Sequence, residues 1–297
     1  MIWIFRFFSI WPLTVLHALG AALGWMVWVT NPKYRAQFRA NVKQAGIDFE
    51  LAQPAIAEAG KVVFELPKLW LRPHLPQLLE NQKFDVKLHG VESASEAFAH
   101  GRGVIFFGAH GGCFELMPQL LAEVFGPKHG DITAIYRPAR QATLAAVELA
   151  TRQRPHLTVL PGSLRSIRMM YKALKANKAV AMLTDQVPPE GLGIWAPFFG
   201  KPAYTMTLAA RLALQTGAVL LPVSCERLPN GRGYIVKIRP AVNLPVTELA
   251  DNANLLSTVT HINHAIEAIV LSQPGQYLWG YGRYKTPRQE AAAKDDV

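Results

Sequence analysis

Apolar residues run almost unbroken across positions 2–29, after which the chain changes to short apolar runs separated by amphipathic stretches. In helical form the first run is long enough to cross a hydrocarbon core of roughly 30 Å. Trp3, Trp11, Trp25 and Trp28 are spread along it. It lacks the charged start, short apolar core and small-residue cleavage site of a secretory leader, so it reads as an uncleaved membrane anchor. Arg6, Pro12 and His17 interrupt the run, which keeps open two other placements: a helix lying in the membrane interface, or a buried helix of the body. Lys33, Arg35, Arg39 and Lys43 follow, a basic cluster suited to the cytoplasmic face and its anionic headgroups.

Beyond Asn31 and Pro32 the spacing predicts amphipathic helices over 34–45 and 51–71. Strand-like runs at 84–89, 104–107, 132–136, 157–160 and 179–184 then alternate with helical patterns at 92–99, 114–125, 141–152 and 164–176. A helix over 204–216, strands over 219–226 and 234–239 around a Pro-Asn-Gly turn, and a long helix over 254–272 complete the pattern. This alternation predicts an α/β fold: a mixed, mainly parallel sheet flanked by helices and preceded by the anchor helix. The divisions are an anchor over 1–30, one domain over 31–290 and a short polar tail over 291–297.

Half of the 297 residues are apolar, enough for one sizeable core plus an added segment. The two cysteines, Cys113 and Cys225, are too few for a disulfide framework and lack zinc-site spacing, which fits a reducing, cytoplasmic setting. A net charge of +10 and a pI near 9.7 call for an anionic partner. The apolar N-terminal run selects a lipid surface over a nucleic acid.

In open α/β sheets ligands settle at the carboxyl ends of the strands, so the residues just past each strand carry the chemistry. The strand 104–107 delivers Gly108-Ala109-His110-Gly111-Gly112, the next Arg137-Pro138, the next Pro161-Gly162-Ser163, and the next Asp185-Gln186. His110 and Glu115, five positions apart, would face different ways on one continuous helix. The glycines allow a tight turn, so that His110 sits in the loop while Glu115 reaches back to its ring from the first helical turn. A carboxylate on one ring nitrogen fixes the tautomer and leaves the other nitrogen to take a proton from a hydroxyl. The plain alternatives are a satisfied loop histidine and a carboxylate at a helix N-terminus. Cys113 offers a rival, a thiol nucleophile with His110 as base, against a small packed residue. His261 and His264 have no third metal ligand and read as surface or packing groups. Arg165 and Arg168 share one face of the 164–176 helix and read as a solvated surface.

The segment Gly108-Ala109-His110-Gly111-Gly112-Cys113-Phe114-Glu115 resembles the His-four-residues-acid motif of glycerolipid and lipid A acyltransferases, in the Glu form of the lipid A late acyltransferases. Ala134-Ile135-Tyr136-Arg137-Pro138 is similar to that family's Tyr-Arg-Pro element, and Thr184-Asp185-Gln186 to its Asp-Gln element. Ala196-Pro197-Phe198-Phe199-Gly200-Lys201-Pro202 resembles its Pro-Phe-Phe-Gly stretch, and Gln276-Tyr277-Leu278-Trp279 with Arg283 and Lys285 its C-terminal signature. Leu221-Pro222-Val223 falls where the wider superfamily has a Pro-centred strand. These matches keep the family's order over residues 100–288. The chain departs from the pattern at Gly280-Tyr281-Gly282, where the family has His-Arg-Arg, and at Val187-Pro188-Pro189, where another acidic residue is common. Both departures bear on the acceptor.

The resemblance implies transfer of a fatty acyl chain from an acyl carrier protein thioester to a hydroxyl of a lipid A precursor, without metal or cofactor, at the cytoplasmic side of the inner membrane. His110 would be the base and Glu115 its orienter. Backbone N–H groups of Gly111 and Gly112, with Arg137, would meet the oxyanion, or Arg137 would instead grip a substrate phosphate or the carrier's phosphopantetheine. Asp185 and Gln186 would position the acceptor, while Arg137 and Asp185 form the alternative structural ion pair. Trp195, Phe198, Phe199 and Met206 would line an acyl channel or pack in the core. Two other readings stand: acylation of a lysophospholipid or other glycolipid by the same residues, and a membrane-bound lipid-binding protein without catalysis. A hydrolase lacks support, because Pro161-Gly162-Ser163 is not followed by the glycine of a nucleophile elbow.

Overall fold

A computed structural model describes residues 2–71, 85–136, 152, 154–244 and 252–289. The N-terminal part holds α1 (Ile2–Ser9), α2 (Leu13–Thr30), α3 (Pro32–Gln44), α4 (Phe49–Ala52) and α5 (Ala55–Leu71). The body follows as β1 (Asp85–His89), α6 (Val91–Ala99), β2 (Val104–Gly108), α7 (Met117–His129), β3 (Ile132–Tyr136), β4 (Leu157–Pro161), α8 (Leu164–Lys175) and β5 (Ala179–Leu183). After these come β6 (Gly193–Phe198), β7 (Lys201–Met206), α9 (Leu208–Thr216), β8 (Val219–Arg227), β9 (Gly233–Ile238) and α10 (Asn252–Ser272). The helix expected over 141–152 lies outside the described residues except for Arg152, as does the tail from 290 onward.

The main sheet has the order β1-β9-β8-β2-β5-β3-β4. Strands β8, β2, β5, β3 and β4 are parallel, while β9 runs antiparallel to β8 and carries β1 parallel to itself. The mixed, mainly parallel sheet expected from the pattern is therefore present. Strand β2 is buried along its whole length, as a central strand covered on both faces should be. Its side chains alternate: Ile105 and Phe107 join a core with Met170 and Leu174 of α8 and the inner faces of α9 and α10, whereas Val104 and Phe106 join α6 and α7.

The region expected to be one helix over 204–216 divides. Residues 204–206 belong to β7, which pairs with β6 in an antiparallel hairpin turning at Phe199 and Gly200. Pro197 and Pro202 disguise this hairpin in the sequence, since proline is poor in a ladder interior but tolerated in a two-stranded edge. Trp195 is exposed on it, while Phe198 is core. Phe198 thus packs rather than lines a channel.

Helix α2 is the described helix long and apolar enough to cross a membrane, yet one third of it is buried. It packs along α5 at a close crossing: a Cβ on Gly60 would lie 1.9 Å from Gly20 O, and one on Gly24 2.0 Å from Ile56 O. Only small residues permit backbones to meet this way. At this interface His17 Nε2 lies 3.2 Å from Glu65 Oε2, which also accepts from Arg227 Nε of β8 at 2.9 Å. Arg227 completes a paired contact with Glu65 through Nη2 and reaches Glu58 Oε2 at 3.1 Å. Burial drives Glu65 up, but Arg227 and His17 outweigh it and hold the carboxyl below its ordinary range. Helix α2 is thereby fastened to the body's sheet. Its outer side, with that of α1, exposes Trp3, Phe7, Ile10, Trp25, Met26 and Val29.

Candidate active site

Strand β2 ends at Gly108, and Ala109-His110-Gly111-Gly112-Cys113 leads into a single helical turn, Phe114–Leu116, before α7. His110 therefore occupies a loop, as the glycines predict. Gly112 is the residue that makes the turn. It sits at φ +56°, and a Cβ there would meet Cys225 O at 1.8 Å. Three successive N–H groups of this loop are tied down: Gly111 N–H donates to Ala109 O (2.8 Å), Gly112 N–H to Gln276 O (2.9 Å) and Cys113 N–H to Cys225 O (3.0 Å). Leu278 N–H in turn donates to His110 O at 3.0 Å. The oxyanion role expected of the Gly111 and Gly112 N–H groups is thus not supported, because both are already spent on carbonyls of the protein.

The partner of His110 is Asp185, not Glu115. Strand β5 lies beside β2 with Gly108 opposite Leu183, and Thr184 N–H donates to Gly108 O at 3.0 Å. The next residue, Asp185, is buried and grips His110 twice, Oδ1 at 2.6 Å from ring Nδ1 and Oδ2 accepting the backbone N–H at 3.0 Å. A short contact of this kind is a charge-assisted hydrogen bond and assigns the proton to Nδ1. Nε2 has no partner among the described residues, and the ring is partly exposed with Phe114 against its edge at 4.9 Å. Burial raises the Asp185 carboxyl, but the His110 charge and its two hydrogen bonds, with the charge of Arg283, hold it below its ordinary value.

Glu115 turns away because the helical turn Phe114–Leu116 aims it at the end of α5. There Oε1 pairs with Arg152 Nη2 at 2.7 Å and Oε2 accepts from Trp70 Nε1 at 3.2 Å. The Arg152 guanidinium is held between the rings of Trp70 and Tyr136 at 4.8 and 5.0 Å. The expected His110–Glu115 hydrogen bond is therefore replaced by two separate pairs. Arg137 lies outside the described residues. Gln186 is half-buried beside Asp185 with no side-chain partner among the described residues. Cys113 is buried, and burial first, then Cys225 and Glu65, push its thiol well up, which removes the thiol nucleophile. His261 Nδ1 meets Ser257 O at 2.8 Å within its own helix.

Behind this pair stand residues the sequence reading left without a role. Gln276 clamps the end of β8, accepting from Arg227 N–H through Oε1 (2.8 Å) and donating from Nε2 to Arg227 O (3.0 Å), while its own carbonyl holds Gly112. Arg283 is buried; it donates to Tyr204 O at 2.9 Å and Thr205 Oγ1 at 2.6 Å and lies over Phe198. Tyr277 is buried against Asp185, and burial together with that charge pushes its phenol well up. Asn41 of α3 donates to Trp279 O and Tyr281 O, both at 2.7 Å. The ring of Tyr34 occupies the space a side chain at position 280 would need, which accounts for Gly280. The signal for these residues was the Gln-Tyr-Leu-Trp run itself, several polar and aromatic groups outside any periodic element.

The sequence profile of the bacterial lipid A biosynthesis acyltransferases matches residues 1–286. A lipid A biosynthesis lauroyltransferase of Escherichia coli (strain K12) is 28% identical over 199 residues, 66% of this chain and 61% of that protein. A lipid A biosynthesis palmitoleoyltransferase of the same strain is 26% identical over 284 residues, 93% of this chain and 86% of that protein. A phosphatidylinositol mannoside acyltransferase of Mycobacterium tuberculosis (strain CDC 1551 / Oshkosh) is 26% identical over 191 residues, 63% of this chain and 56% of that protein. The matched stretch thus spans less than two thirds of the lauroyltransferase and of the mannoside acyltransferase.

Proposed function

Since the chain belongs to the bacterial lipid A biosynthesis acyltransferase family, we propose that it transfers a fatty acyl chain from an acyl carrier protein thioester to a hydroxyl of a lipid A precursor of the Kdo-lipid IVA type. The observation that carries this reading is the partly exposed His110, its Nδ1 fixed by buried Asp185 and its Nε2 unpartnered among the described residues, at the carboxyl edge of the sheet. Nε2 takes the proton of the acceptor hydroxyl as its oxygen attacks the thioester carbonyl. The tetrahedral intermediate then collapses, the C–S bond breaks, and the imidazolium returns its proton to the departing sulfur. Asp185 keeps the ring in register and stabilises the imidazolium through that cycle. No acyl-enzyme, metal or redox cofactor enters the scheme.

Glu115 joins the site as a positioning group, holding Arg152 at its rim, and Gln186 and Arg137 are left to the acceptor. The protein works at the cytoplasmic face of the inner membrane, with α1 and α2 lying in the interface. The buried His17–Glu65 contact supports that placement over a spanning helix, and the exposed tryptophans suit headgroup depth. A second reading, another glycolipid hydroxyl as acceptor, is favoured by the likeness to the phosphatidylinositol mannoside acyltransferase.

The test is transfer from a carrier-bound acyl thioester to candidate lipid acceptors, followed by mass spectrometry for wild type and His110→Ala. Acyl transfer to the lipid A precursor that disappears in His110→Ala is the expected result. Undiminished transfer by His110→Ala would overturn the mechanism, and transfer only to other glycolipids would move the acceptor to the second reading.

A further inference from the structure

Helix α8, LRSIRMMYKALK, carries four cations and no acid. Arg165, Arg168, Lys172 and Lys175 stand at i, i+3, i+7 and i+10, a spacing that gathers them into one stripe about 15 Å long. All four are exposed, and none has an ion-pair partner among the described residues; Lys175 lies over the Tyr171 ring. Leu164, Met169 and Tyr171, exposed beside the stripe, add apolar contacts. A solvated helix face would ordinarily mix both signs, as pairing at i, i+4 is favourable. This one is single-signed.

Its position matters as much as its charge. Helix α8 follows β4, whose last residue, Pro161, is in register with Tyr136 at the end of β3, and β3 neighbours β5, whose carboxyl end leads into Asp185. The helix therefore starts at the same sheet edge as His110, three strand spacings or about 14 Å to the side. It packs on β5, β3 and α9. The exposed apolar groups of α1 and α2 belong instead to the pair fastened through Arg227 to β8, on the other side of β2. The stripe is thus beside the site but apart from the proposed lipid face, where α3 supplies its own cations. Of those, Arg35 already caps α2 through Trp28 O and Arg39 stacks on Trp28.

We propose that the α8 stripe is the docking surface for the acidic carrier protein that presents the acyl thioester to His110. The inference rests on the reading above that the donor is carrier-bound. A helix-length row of cations fits a helix-length row of carboxylates on a small acidic partner, and such complementarity speeds encounter and fixes orientation. The pendant thioester then crosses the offset from α8 to the imidazole.

The experiment compares the full-length protein with Arg168→Glu/Lys172→Glu, using one acyl chain presented on the carrier protein and on free pantetheine, together with flotation on anionic vesicles. The expected result is a fall in kcat/KM of about tenfold or more with the carrier-bound donor, against less than about twofold with the pantetheine thioester, and unchanged flotation. For wild type, kcat/KM with the carrier should fall as salt rises, and less so for the variant. An unchanged carrier-bound rate, in a wild type that depends on the carrier, would overturn the docking surface and leave the donor reading standing. A wild type indifferent to the carrier would remove the donor reading and the docking surface together. Loss of flotation with equal loss for both donors would assign the stripe to the membrane and overturn the proposal. If the double variant melts early, Arg168→Ala/Lys172→Ala must show the same donor split at reduced size, and failure to do so counts equally against it.

Discussion

Replacing Asp185 by Asn separates the base's partner from the motif carboxylate. The side chain keeps its shape, but Asp185 accepts two hydrogen bonds from His110, at 2.6 and 3.0 Å, and an amide offers one oxygen in place of two. One donor then faces an NH2 group, and the imidazolium formed during transfer loses its counter-charge. A hydrogen bond to a charged group is worth about 1.5–3 kcal/mol, and with the lost charge the transition state should suffer by about 3–5 kcal/mol, a fall in kcat of about 10²–10⁴-fold. Glu115→Gln is the contrasting perturbation. Its partners are Arg152 and Trp70, its side chain is partly exposed, and glutamine still accepts from one of them, so the loss should stay within about tenfold. The assay is saturating acyl transfer followed by mass spectrometry, with a thermal melt of each variant, since Asp185→Asn also leaves buried Arg283 without a nearby carboxylate and should melt earlier. Turnover is compared well below both melting points. The reasoning is refuted if Asp185→Asn keeps kcat within about threefold of wild type while Glu115→Gln loses about a hundredfold.

Gly112→Ala should destabilise the protein by more than about 2 kcal/mol and abolish transfer, because the new methyl group falls on Cys225 O in a left-handed backbone; a denaturant titration with an activity assay checks both. Glu65 is held below its ordinary value of 4.5, so its stabilising contribution is complete above that pH and is lost as the pH falls through the lowered value. Glu65→Gln should therefore melt far below wild type at neutral pH and converge toward it as the pH falls below the ordinary carboxylate range, as melts across that range will show; a constant difference would contradict it. Trp25→Glu/Val29→Glu, both exposed, should cost under about 0.5 kcal/mol per site in detergent yet release the protein from vesicles, measured by flotation.

Much of the architecture was legible because its signals are local. The parallel strands show as short apolar runs, and the loop position of His110 follows from the glycines after β2. The partner of His110 was not legible, although Asp185 was singled out, because the lateral order of strands is not a local property: β5 is drawn beside β2 by chain crossovers that leave no mark near either residue. Spacing favoured Glu115, the acid nearest in sequence, and sequence proximity gave way to adjacency across the sheet. The β6–β7 hairpin was hidden by its prolines. The hydrophobicity of the N-terminal run was plain, but the attachment of α2 to the body depends on Arg227, which meets Glu65 from 162 positions away.

The clamp of Gln276 on Gly112 and the grip of Asn41 on Trp279 set an order in time. The contacts of α2 with α5 are available once residue 71 has been synthesised, whereas Asn41 and its carbonyl partner on Trp279 are separated by 238 positions. On a growing chain the N-terminal apolar helices exist long before the loop that carries His110 can be locked, since the loop's backbone partners are among the late residues. The apolar surface of α1 and α2 is thus exposed while the chain is still without its candidate site. On the interfacial placement proposed above, the membrane is then part of the environment in which His110 and Asp185 are first brought together.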